Sequence, residues 1–154
     1  MENNSYSASE TSLSVDSTAR IVVYSPAQVA IGAFVGGPVG LTYFLMANFG
    51  ALYNDRARKN TLYSGISLII ALLCILPMLP DNFPSLPLTI LYVVAARMVS
   101  EKYQLTKSQI AESEQCQFQS NWKVFGLSLL CFIGSTVAIV IPLAVLSMLG
   151  ITAV

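Results

Sequence analysis

S-P-A-Q-V-A-I-G-A-F-V-G-G-P-V-G-L-T-Y-F-L-M-A-N, from Ser25 to Asn48, is the stretch whose reading decides the fold. It opens as a helix. Ser25 is a suitable N-cap, Pro26 occupies the first helical position, where its missing N–H costs nothing, and Gln28 stands where a capping box needs it. The run carries no charge and is long enough to enter a bilayer. Gly32, Gly36 and Gly40 fall four apart, so a straight helix would carry a strip without side chains on which another backbone can close. Pro38 interrupts the run, because it removes a backbone donor and its ring clashes with the carbonyl of Phe34.

The composition is that of a membrane protein. Of 154 residues, 55% are hydrophobic and 10% charged, against about 25% charged in soluble domains. A soluble core of this size cannot hide so much apolar surface, whereas lipid accepts it. Eight basic and eight acidic residues cancel, which gives no footprint for nucleic acid. Histidine is absent and the three cysteines, Cys74, Cys116 and Cys131, are far apart, so the usual metal, haem and cysteine–histidine pairings are missing and no cofactor is expected.

Outward from the first segment, residues 1–24 are polar and Ser/Thr-rich and read as a disordered tail. A helical membrane domain follows over 25–150, with apolar segments at about 26–49, 62–79, 86–103 and 124–149 and a hydrophilic loop at 104–123. The short basic stretch 50–61 suits a connection between antiparallel helices. Pro77, Pro80 and Pro84 mark the end of the second segment and the turn after it. The third segment contains Arg97, read as a cation near a helix end that reaches the headgroups, with Glu101 placed to pair with it locally. Trp122 beside Lys123 is an interfacial anchor, and Pro142 kinks the long fourth segment.

The fold class is therefore an all-α membrane protein with four transmembrane helices. The alternative is three spans plus a re-entrant first segment broken at Pro38 and its glycines. Basic residues concentrate in loops 50–61 and 104–123, which the positive-inside rule assigns to the cytoplasm. Four spans place the tail outside; a re-entrant first segment places it inside.

The order Ser25-Pro26-x-Gln28, Phe34-x-Gly36-Gly37-Pro38, Asn48, Leu52 and Trp122-Lys123 resembles a family of small multi-pass bacterial inner-membrane proteins without an assigned activity. The likeness covers about residues 24–126. It implies a bacterial inner membrane and brings no catalytic residue with it. One departure is a single Trp before Lys123 where an aromatic pair is expected.

Three functional classes follow from the residues. A non-catalytic accessory or assembly protein would use Gly32, Gly36 and Gly40 to pack a partner helix or a second copy of the chain. A transporter or channel component would use the broken first segment, with freed backbone groups facing a polar path. An enzyme needs a nucleophile with a base, or clustered ligands, and the apolar runs hold no carboxylate or histidine. The sequence favours the first, with the lipid bilayer as the obligatory surroundings.

Overall fold

The computed structural model describes residues 20–78, 84 and 86–150. The tail reading over 1–19 and most of the turn expected at 81–85 lie outside the described residues. The element order is a strand β1 (Ile21–Val23), helices α1 (Pro26–Ala51) and α2 (Asp55–Ile75) with a 3-10 turn at Leu76–Met78, then α3 (Leu86–Tyr103), a short α4 (Lys107–Glu112), β2 (Cys116–Phe118) and α5 (Asn121–Met148).

Helix α1 does not run straight. Its start is built as its residues require: the Ser25 hydroxyl accepts from the Gln28 N–H at 3.3 Å, and the Gln28 side chain accepts from the Ser25 N–H at 2.9 Å. Helical geometry then stops at Gly37, whose φ of 63° and ψ of −153° lie in a region essentially closed to residues with a Cβ. Beyond it the chain turns back. Tyr24 and Asn48 would stand about 36 Å apart on one straight helix. Instead the Tyr24 N–H donates to Asn48 Oδ1 at 2.7 Å, and Asn48 Nδ2 donates to the Tyr24 carbonyl at 2.7 Å. The Phe44 ring lies on Gly32, and Gly40 faces the Gly32 carbonyl. The element is a helical hairpin with arms at 26–36 and 38–51, about 16 and 21 Å long.

This corrects the reading of the first segment as one straight crossing. Three helices, Pro26–Ala51, Asp55–Met78 and Asn121–Met148, are long and apolar enough to cross a membrane by length and composition. The first of them folds back on itself at Gly37 and does not run its length in one direction. The break falls at Gly37, beside Pro38, where the alternative reading placed it.

The other helices surround the hairpin. Helices α5, α3 and α2 all pack on α1, and α5 meets both arms, at Gly36 of the first and at Val39 and Gly40 of the second. The core joins Val29, Ala33, Phe44, Leu45 and Phe49 of α1 to Ala96 of α3 and Val124 of α5. Tyr24 meets the Phe44 ring edge-on, with centroids 4.9 Å apart. The outer faces of α2, α3 and α5 remain apolar and exposed, with Ile70, Leu91 and Phe132 as examples. Such a surface suits lipid and not water.

Two features depart from the sequence reading. Residues 21–23, taken as the end of the tail, pair in parallel with 116–118 of the hydrophilic loop, with Ile21 opposite Cys116 and Val23 opposite Phe118. Helix α2 begins at Asp55 inside the expected loop 50–61, because the Asn54 side chain accepts from the Ala57 N–H at 3.0 Å and caps it. The expected bounds of α3, 86–103, are those observed.

Parallel pairing of β1 with β2 has a topological result. Each strand leads directly into a helix, so the first arm of α1 and the start of α5 leave the same end side by side. Residue 20, the α1–α2 connection, the end of α3, and α4 all gather at that end.

Candidate functional site

Breaking a helix in an apolar interior leaves backbone groups without partners, and each must be satisfied from elsewhere. One residue does most of this. The Ser135 hydroxyl of α5 donates to the Gly36 carbonyl at 2.6 Å and accepts from the Val39 N–H at 3.1 Å. The break falls between those two groups. Pro38 has no N–H to lose, and its carbonyl accepts from Thr42 Oγ1 at 2.9 Å. Ser135 is buried, and a Cβ on Gly37 would approach its Oγ to 3.0 Å.

The base of the hairpin is a second polar cluster. Besides holding Tyr24, Asn48 donates from Nδ2 to Gln104 Oε1 at 2.8 Å. Gln104 Nε2 donates to the Leu45 carbonyl at 3.0 Å, and the Ser100 hydroxyl donates to Gln104 Oε1 at 3.0 Å. Both Asn48 and Ser100 are buried. On the other side, Gln28 Nε2 donates to the Gln119 carbonyl and to Asn121 Oδ1, both at 2.7 Å, which fastens the first arm to the start of α5. Burial raises the pKa of the Tyr24 phenol here, against a smaller opposing pull from the Gln119 side chain.

The three glycines of the strip are used within the chain and do not form one face. Gly32 yields its space to Phe44, and Gly40 approaches the Gly32 backbone across the hairpin. Gly36 faces α5, where an added Cβ would stand 2.8 Å from Cys131 Cβ and 3.2 Å from the Ser128 carbonyl. The strip is thus divided between the two arms and α5, and no continuous small-residue surface remains for an outside helix.

The interfacial candidates stand apart from the hairpin. Arg97 Nε donates to Glu101 Oε1 at 2.8 Å with both side chains well exposed, the local pair expected from the i,i+4 spacing and of small energetic worth. Trp122 is exposed on the first turn of α5 beside Lys123. Sequence reasoning missed Ser135, Asn48 and Gln104. A lone amide in an apolar run was the signal at Asn48. At Ser135 it was the spacing of Ser128, Cys131 and Ser135, which sets three small residues on one helical face.

Among the described residues, no group of three or more His, Cys, Asp or Glu side chains is arranged to hold a metal. The chemistry the site does offer is internal: hydroxyls and amides that close a broken backbone. No family model, curated protein or solved structure matches the chain. What the fold and the site define is a class: a small, mostly helical protein with membrane-length apolar helices, built around a helical hairpin.

Proposed function

We propose that the chain is an integral membrane protein with three spans, α2, α3 and α5, around a hairpin that enters and leaves on one side, and that it acts as a non-catalytic accessory or assembly protein. The observation that carries the second part is the closure of the hairpin by Ser135. In a transporter built on broken helices, the freed backbone groups face the solute path. Here Gly36 O and Val39 N–H are taken by Ser135, which withdraws these two groups from any polar path. A partner would meet the exposed apolar sides of α2, α3 or α5, since the glycine strip is already filled.

The orientation rests on charge. All eight Lys and Arg residues (Arg20, Arg56, Arg58, Lys59, Arg97, Lys102, Lys107 and Lys123) lie at or near the end where β1 and β2 pair. A straight first span would have put Arg20 on the far side; the hairpin brings it back to the others. The positive-inside rule then makes this end cytoplasmic, tail included. The resemblance noted in the sequence supports a bacterial inner membrane.

Single cysteines at Ser17, Asn60 and Asn82, in a chain freed of its native cysteines, test the topology with a membrane-impermeant thiol reagent on intact cells. Asn82→Cys labels, while Ser17→Cys and Asn60→Cys stay protected. Labelling of Ser17→Cys together with Asn82→Cys restores four spans. Proteoliposomes holding the purified chain test the functional part: no flux of ions or small solutes is expected, and flux by the chain alone overturns the accessory reading. The second reading, a channel component, draws on a groove of ≈ 280 Å³ beside the reversal, lined by Gly37, Ser135 and Thr136 among apolar neighbours.

A further inference from the structure

Helices α2 and α3 are consecutive and both pack on α1, yet they make almost no contact with each other. The space between them is a groove. Two clefts of ≈ 240 and ≈ 290 Å³ share Leu41, Leu45, Ser64, Leu68 and Val99, so they form one continuous channel floored by the second arm of the hairpin.

The polarity of its walls changes in one direction. On α2, the residues four apart are Leu72, Leu68, Ser64 and Asn60, all of which line the groove. One turn further in the same register stands Arg56. On α3, Leu91, Ala95 and Val99 line it, and Lys102 follows one turn on. Both walls pass from aliphatic to cationic toward the same end, and the α2 wall does so through a hydroxyl and an amide. Ser64 to Leu72 spans about 12 Å of helix, within the ~15 Å that one leaflet contributes to the hydrocarbon. Arg56 and Lys102 are exposed, Lys102 Nζ lies 5.4 Å from the centroid of the Tyr103 ring, and among the described residues the ion pair formed is that of Arg97 with Glu101, which uses neither.

We infer that the groove between α2 and α3 seats one anionic diacyl phospholipid, with an acyl chain along its aliphatic length, the ester region beside Ser64 and Asn60, and the phosphate at the Arg56–Lys102 end. A protein helix is about 10–12 Å across with its side chains, and enters a cleft of this volume only if α2 and α3 move apart. An acyl chain enters as it is. The cations supply what a purely apolar groove lacks, a reason to choose anionic over zwitterionic headgroups.

The inference rests on the membrane reading above. The full chain, purified in mild detergent and mixed with equal amounts of phosphatidylglycerol and phosphatidylcholine, is examined by native mass spectrometry. Occupancy by phosphatidylglycerol exceeds that by phosphatidylcholine roughly tenfold, given two basic residues near the headgroup. The double variant Arg56→Gln/Lys102→Gln, altered at exposed positions only, brings the ratio to within about twofold. Lys123→Gln, a cation on α5 outside the groove, keeps the native ratio. Ala95→Trp, which fills the groove from an exposed position, releases both lipids. Equal binding of the two lipids by the native chain overturns the inference, as does a preference that survives the double variant or is lost equally with Lys123→Gln. Two results give the groove another occupant and also overturn it: inorganic phosphate protecting the chain from heat as well as the lipid does, or a native dimer that Ala95→Trp dissolves. A chain recovered from the soluble fraction refutes the membrane reading itself, whereas a membrane-integrated chain without lipid selectivity refutes this inference alone.

Discussion

Replacing Ser135 with alanine removes one oxygen atom and leaves the shape of α5 otherwise unchanged. That oxygen accepts from the Val39 N–H and donates to the Gly36 carbonyl, the two backbone groups flanking the reversal. Leaving a buried donor or acceptor unmade costs about 1–3 kcal/mol. Two such groups put the loss at about 2–6 kcal/mol if the site stays dry, and the small worth of interhelical hydrogen bonds measured in a membrane, about 0.6 kcal/mol on average, favours the lower end of that range. Two nearby hydroxyls serve as controls. Ser128 donates to the Val124 carbonyl at 2.7 Å, and Thr136 to the Phe132 carbonyl at 2.9 Å. Both of those carbonyls belong to α5 itself, so neither hydroxyl closes a broken helix. Thermal denaturation in detergent, followed by circular dichroism, reads the difference. Ser135→Ala lowers the midpoint by roughly 5–10 °C for a chain of this size, while Ser128→Ala and Thr136→Ala change it by about a degree or two. Equal midpoints for all three variants refute the reasoning, because the reversal would then be satisfied without Ser135.

Gly37→Ala places a Cβ where φ is 63° and 3.0 Å from Ser135 Oγ, so about 1–3 kcal/mol is lost and accumulation in the membrane falls. Gly134→Ala, on a regular stretch of α5 with only Val39 Cγ1 near at 3.6 Å, accumulates as the native chain does; equal levels for the two variants dispose of the strained turn. Arg97→Lys and Glu101→Gln each shift the midpoint by less than about 2 °C, since an exposed i,i+4 pair contributes only about 0.3–0.5 kcal/mol. A loss from either as large as that from Ser135→Ala would mean that the pair is buried in the working protein.

How much of this was legible in the sequence depends on the range of the interaction. Local signals read correctly: Ser25 and Gln28 form the capping box, Arg97 reaches Glu101, and Leu86 to Tyr103 is one helix. The break at Gly36-Gly37-Pro38 was visible, but its consequence was not. Glycines four apart suit a straight helix and a folded one equally, because each arm keeps the same periodicity, and only the backbone angle at Gly37 separates them. The strand pair was hidden for a different reason. Ile21-Val22-Val23 and Cys116-Gln117-Phe118 are too short for an alternating pattern, and each becomes a strand only when the other is beside it. Ser135 showed only as one of three small residues spaced along a helical face, and its role emerged when the fold placed it against a broken helix far back in the sequence.

The hairpin and the groove share one cause. A helix broken at its middle leaves backbone groups that its own turns do not satisfy, so other helices must stand around it. Helix α5 takes the first arm, using Ser128, Cys131 and Ser135 against Gly36 and Gly37. Beyond Val39 and Gly40, which α5 also meets, the second arm is packed by α2 and α3. Helix α2 is drawn onto it at Gly65, whose missing side chain is replaced by that of Thr42, and α3 is drawn onto it through Ala96 and through Gln104 at the Leu45 carbonyl. With the arm wedged between them, α2 and α3 cannot also close on each other. Their separation therefore goes with the thickness of the hairpin they both pack on. A substitution that loosens the hairpin, such as Ser135→Ala, should accordingly weaken the lipid preference of a groove whose walls it does not touch.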